Sequence, residues 1–110
     1  MITKLFASTE KVSSIGQGCD LIPTNLPLQT YSITELEYAL ATGIDLGMNF
    51  IDTAEIYGDG LSENLIGRVV KNFRQDVFIA TKVAPQNTGW KDLISSCESS
   101  LTRLQTDYID

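Results

Sequence analysis

Histidine is absent from the 110 residues, and cysteine, proline and tryptophan occur only two, three and one times. Without imidazole the chain holds no Ser-His-Asp or Cys-His machinery and no histidine-built metal site. Cys19 and Cys97 lie far apart and match neither a metal nor a redox spacing, so a reduced, cytoplasmic chain is the expectation. Basic side chains are scarce as well, eight against fourteen acidic ones for a net charge of −6. Nucleic-acid binding needs a basic stripe, and no stretch here is one. No apolar run reaches the roughly 18 residues that span a membrane, and Met1 to Glu10 lack the apolar core of a signal peptide. Low-complexity tracts and linkers are also missing, which leaves one domain.

What is present is a globular composition, 43% apolar and 20% charged. Ile2 to Phe6 and Val12 to Ile15 read as two short strands turning at Ser8 to Glu10, and an irregular, proline-containing stretch follows from Asp20 to Thr30. Ser32-Ile33-Thr34-Glu35 is a capping box, after which Ile33, Leu36, Leu40 and Ile44 recur at helical spacing and Gly47 terminates the helix. Met48 to Asp52 is a buried strand ending in an acid. Ser62 is the expected N-cap of a helix carrying Leu65, Ile66, Val69, Val70 and Phe73. Val77 to Val83 is the next strand, stopped by Pro85. Trp90 to Leu104 has Leu93, Ile94, Cys97, Leu101 and Leu104 on one helical face, and this stripe is expected to pack on the sheet. Tyr108-Ile109-Asp110 begins a further strand.

Alternation of strand and helix predicts a parallel sheet, either open and doubly wound or part of a (β/α)8 barrel. Gly16-Gln17-Gly18 is only G-x-G, without the third glycine or a following helix of a dinucleotide fingerprint. In parallel sheets ligands gather at the carboxyl ends of strands, where Asp52, Tyr57 and Lys82 fall. Adjacent strands lie about 4.8 Å apart, close enough for an Asp52–Lys82 ion pair. An ammonium beside a phenol favours the phenolate, so Tyr57 folded over that pair suits proton donation to a forming alkoxide. A structural ion pair with a merely packed tyrosine is the plainer alternative. The acids Asp52, Glu55, Asp59 and Glu63 lack the EF-hand pattern, and no metal is expected: Asp59-Gly60 reads as a turn and Glu63 as an acid favoured by a helix N-terminus. Lys71, Arg74 and Lys91 read as solvated charges. Trp90 reads as a pocket-lining aromatic or, equally, as a helix-packing or rim aromatic.

The stretch GMNFIDTAEIYGDGLSENLIG, Gly47 to Gly67, resembles the first signature of the aldo-keto reductases. VFIATKV, Val77 to Val83, and SLTRLQTDYID, Ser100 to Asp110, are similar to that family's next strand, helix and fourth-strand entry, so ordered matches cover about two thirds of the chain, Gly43 to Asp110. The resemblance implies the N-terminal part of a (β/α)8 TIM barrel: about three βα units and the start of a fourth strand after a short β-hairpin, with residues 1–110 as one partial domain. It implies NAD(P)H-dependent reduction of a small aldehyde or ketone. Tyr57 would be the general acid, Lys82 would favour its ionised form and Asp52 would anchor Lys82. Gly18 and Cys19, with Asp52, are the implied contacts to NADP(H) or NAD(H).

The family's fourth catalytic residue is a histidine a few residues beyond DYID, and its cofactor phosphates are held mainly by later strands. A barrel takes about 250 residues. The chain is therefore expected to be an N-terminal fragment or a prematurely ended reading frame, inactive by itself. A non-catalytic half-barrel that associates with a complementary half is the alternative.

Overall fold

The computed structural model describes residues 1–6, 10–20 and 32–110. The turn expected around Ser8 and most of the irregular stretch from Asp20 to Thr30 lie outside them. Strands β1 (Thr3–Phe6) and β2 (Glu10–Ser13) pair antiparallel, Thr3 opposite Ser13. Strands β3 (Gln17–Gly18), β4 (Phe50–Asp52) and β5 (Phe78–Ala80) form a parallel sheet in that order. The first parallel strand is thus Gln17–Gly18 itself, with Gly18 opposite Asp52, while β2 belongs to the hairpin. Asn49 joins the two sheets: its Oδ1 accepts from the Ser13 N–H at 2.7 Å and its Nδ2 donates to Lys11 O at 3.0 Å.

Helix α1 (Ile33–Asp45) starts on the expected capping box, with the Ser32 hydroxyl accepting from the Glu35 N–H and Glu35 accepting in return from the Ser32 N–H at 2.7 Å. Helix α2 (Leu61–Val70) departs from the reading: its N-cap is Gly60, at φ +82°, and Ser62 lies inside the first turn. The Ser62 hydroxyl is taken by tertiary partners, 2.9 Å from the Thr53 hydroxyl and donating to Cys19 O at 2.8 Å. Phe73 lies beyond the helix and precedes a 3-10 turn at Arg74–Asp76. Helix α3 (Trp90–Leu104) has the predicted bounds.

Side chains alternate across strands. Ile51 and Ile79, both fully buried, meet Leu40, Leu65, Ile66, Val70 and Leu104 from the helices to form the core. Each such side chain contributes about 1.5–3 kcal/mol on burial. Phe50 and Phe78, one residue back, stack with centroids 5.7 Å apart on the opposite face.

The α3 stripe divides. Leu104 is fully buried in the core and Leu101 is half-buried, whereas Leu93, Ile94 and Cys97 are exposed, and so is Trp90 at 77%. Ser96 and Ser100 are the other buried residues of α3. At its end α3 runs close to α2: a Cβ on Gly67 would lie 2.7 Å from backbone atoms of Arg103 and Leu104. Arg74 is likewise buried rather than solvated. It donates to Val77 O and Tyr108 O, both at 3.0 Å, pairs with Asp110 at 2.7 Å and lies 3.9 Å from the Tyr108 ring centroid. It thereby docks residues 106–110 beside β5, where the Asp110 N–H reaches Ile79 O at 3.2 Å without a regular strand forming.

Among the described residues no helix is long and apolar enough to cross a membrane.

Candidate active site

The carboxyl ends of β4 and β5 bring Asp52, Tyr57 and Lys82 together. Pairing of β4 with β5 aligns Asp52 with Ala80, so Lys82 emerges two residues further along on the same face as Asp52. Lys82 Nζ donates to Asp52 Oδ1 at 2.7 Å and to Thr53 O at 2.9 Å, and lies 5.2 Å from the Tyr57 ring centroid, within cation–π range. The loop holding Tyr57 is tied down at both ends. Its Glu55 N–H donates to Lys82 O at 3.1 Å, and Tyr57 O accepts from the Ser62 N–H at 3.3 Å.

Partial burial pulls the Lys82 ammonium toward deprotonation. The hydrogen bond and charge of Asp52, with a smaller contribution from Tyr57, outweigh it and hold its pKa above the ordinary lysine value of 10.5. Lys82 is therefore a charged donor at neutral pH. The pair is open, with the two side chains 49% and 40% exposed.

Gly18 lies directly opposite Asp52, and a Cβ added there would meet nothing within 4 Å, so the space before it is free. An open cavity of about 480 Å³ runs along this face past Gly16, Gly18, Phe50 and Asp52. Cys19 stands apart from the trio. Its N–H donates to Asp52 O, its carbonyl accepts from Ser62, and its thiol is part of the hydrophobic core. Burial first, then the Asp52 carboxylate, push that thiol up to about 11 against the opposing charge of Lys82, so it stays protonated and inert.

Two of the remaining acids, Glu55 and Glu63, have protein partners. Glu63 is fully buried instead of merely sitting at a helix start, and accepts from the Thr81 hydroxyl and Arg103 Nε, both at 2.6 Å. Glu55 accepts from the Ala84 N–H and from Asn87 Nδ2. Burial alone would raise its pKa, but these bonds, one from Ser96 and the Arg103 charge hold it below the ordinary carboxylate value. Sequence reasoning passed over this group because the partners of each acid lie 18 to 40 residues away. The usable signal was Thr81 and Lys82 as neighbours in the expected strand Val77 to Val83; β5 stops at Ala80, but the two side chains continue its alternation and face opposite ways.

The sequence profile of the Aldo/keto reductase family matches residues 24–110. The chain belongs to the aldo/keto reductase family. Methylglyoxal reductase YeaE of Escherichia coli K12 is 49% identical to it over 105 residues, 96% of this chain and 36% of that protein. Aldo-keto reductase YhdN of Bacillus subtilis 168 is 35% identical over 113 residues, 91% of this chain and 33% of that one. The thermostable aldo-keto reductase Tm1743, solved with epalrestat, superposes with a TM-score of 0.88 at 39% identity, covering 100% of this chain and 41% of its own. A Klebsiella pneumoniae aldo-keto reductase solved with NADPH gives 0.84 at 37% identity, over 100% and 38%. This aldo/keto reductase chain spans about a third of the length of the curated relatives it matches. Its parallel strands and covering helices are the N-terminal segment of the family's (β/α)8 barrel, an open sheet here and not a closed one.

Proposed function

We propose that this chain carries the proton-donating corner of a cytoplasmic, NAD(P)H-dependent reductase of small aldehydes and ketones. The observation that supports it is a charged lysine pinned to Asp52 and facing the Tyr57 ring, in an open strand-end site. Tyr57 gives its hydroxyl proton to the carbonyl oxygen of the substrate. The Lys82 ammonium stabilises the negative charge left on the phenol, and Asp52 keeps Lys82 charged and oriented. Solvent returns the proton to Tyr57. The nicotinamide supplies the hydride to the carbonyl carbon when bound. Gly18 and Asp52 would hold its ring, because they lie opposite each other and the space before Gly18 is free; Cys19 would contribute its backbone only, its thiol being in the core. The 110 residues alone are expected to oxidise no NADPH, since they hold no histidine and, among the described residues, three parallel strands of a barrel that has eight.

The test is a chimaera in which this chain replaces the matching segment of the E. coli relative. NADPH oxidation on methylglyoxal is expected to persist, and Tyr57→Phe is expected to lower kcat by about 10²–10⁴-fold, the usual worth of a general acid. A Tyr57→Phe chimaera as active as its parent would end this reading. The exposed Leu93 and Cys97, which line one open cavity with Val83 and Ile109, favour a second reading, a non-catalytic half that closes on a complementary half-barrel. Sedimentation of the two halves together tests it, and the absence of a faster boundary rejects it.

A further inference from the structure

We propose that Glu55, Glu63 and Arg103 form a positioning brace that fixes Lys82 and the Tyr57 loop relative to each other; this rests on the reductase reading above. None of the three faces the open side of the sheet. Their side chains are 10%, 0% and 26% exposed, whereas those of Asp52 and Lys82 are 40% and 49% exposed.

The brace holds the chain on both sides of Lys82, by a side-chain hydroxyl before it and a backbone N–H after it. Glu63 accepts from the hydroxyl of Thr81, the residue before Lys82, at 2.6 Å. Glu55 accepts from the N–H of Ala84, two residues after Lys82, and its own N–H donates to Lys82 O at 3.1 Å. Glu55 also sits two residues before Tyr57, so one carboxylate ties the Tyr57 loop to the segment that follows Lys82.

Arg103 links the two acids from α3, with Nε 2.6 Å from Glu63 and Nη2 4.0 Å from Glu55. Its stem lies directly under the same loop: a Cβ on Gly60 would come within 2.6 Å of Arg103 Cδ. Gly60 is needed twice over, for its φ of +82° and for this contact. The loop therefore rests on Arg103 at one end and hangs from Glu55 at the other. A fully buried glutamate is costly to desolvate, and its bonds to Thr81 and Arg103 hold only in one geometry, which makes the brace rigid.

The brace is tested on the 110-residue chain by following the Cε resonance of Lys82 through its titration in a [13C]lysine-labelled sample, assigned by its loss in Lys82→Arg. Asp52 from β4, Tyr57 from the loop and Cys19 beyond β3 are the titratable groups facing it. In the parent its midpoint is expected above 10.5. Glu55→Ala and Thr81→Val touch no atom of Lys82 beyond its backbone, yet each is expected to lower that midpoint toward the ordinary value. Glu37→Ala, which breaks the exposed pair with Arg68, is expected to leave it unmoved. Where Glu55→Ala fails to fold, the near-isosteric Thr81→Val decides. An unmoved Lys82 midpoint in the folded variants would overturn the brace even if their melting temperatures fell. That outcome leaves the reductase reading standing, whereas an active Tyr57→Phe chimaera removes the reading and leaves this result intact.

Discussion

Two ion pairs stand at the same strand end and differ in almost everything except length. Lys82–Asp52 spans 2.7 Å and Arg103–Glu63 spans 2.6 Å. The first is half-exposed on the open side of the sheet and the second is closed in among the helices. Thr81 and Lys82 are consecutive just beyond β5 and continue its alternation, so one meets the buried acid and the other the open one. Two neighbouring residues thus separate a charge left accessible on the open face from a charge held among the helices. Coulomb attraction is similar in kind for both; water decides how much each contributes to stability.

The sharpest way to break this contrast is Arg103→Met, which strands Glu63 without a cation. Removing one partner of a buried pair costs about 3–5 kcal/mol, and urea unfolding is expected to report a loss of that size. A loss under about 1 kcal/mol, the value for exposed pairs, would erase the distinction. Gly67→Ala comes next. Its methyl would meet the backbone of Arg103 and Leu104 at 2.7 Å and push α3 away from α2, with an expected cost of about 1–3 kcal/mol, the range for overpacking. Unchanged stability would mean that α3 shifts freely.

The smallest effect belongs to the open pair. Asp52→Asn is expected to cost no more than about 1 kcal/mol at neutral pH. The folded Lys82 pKa is raised, so its stabilising contribution is complete below the ordinary lysine value of 10.5 and disappears as pH climbs through the folded value. The parent is therefore expected to lose stability relative to Asp52→Asn in that alkaline window. A difference between the two that persisted undiminished above it would point to another cause.

The local parts of this architecture were legible because local forces set them. The Ser32–Glu35 capping box and the bounds of α3 needed only neighbouring residues. Asp52, Tyr57 and Lys82 could be gathered from strand ends and spacing, and their convergence follows from the β4–β5 register. Tertiary partners decided the rest. Ser62 has the chemistry of a cap, but Thr53 and the Cys19 carbonyl claim its hydroxyl, leaving Gly60 to begin the helix. Arg74 looks like a solvated charge until residues 32 to 36 positions away fold around it. The α3 stripe was legible at Leu104, which the core buries, and not at Leu93, Ile94 and Cys97, which are exposed while Ser96 and Ser100 are buried.

Asn49 attaches the hairpin to the parallel sheet. Among the described residues the two sheets share no ladder, and hydrogen bonds to the hairpin come from the Asn49 side chain and from the Phe50 N–H, which donates to the Ser13 hydroxyl. Val12, Ser13 and Ser14 nevertheless line the same open cavity as Gly18 and Asp52. A change of pairing register between β1 and β2 would therefore reshape one wall of that cavity while leaving the β4–β5 register to its own hydrogen bonds.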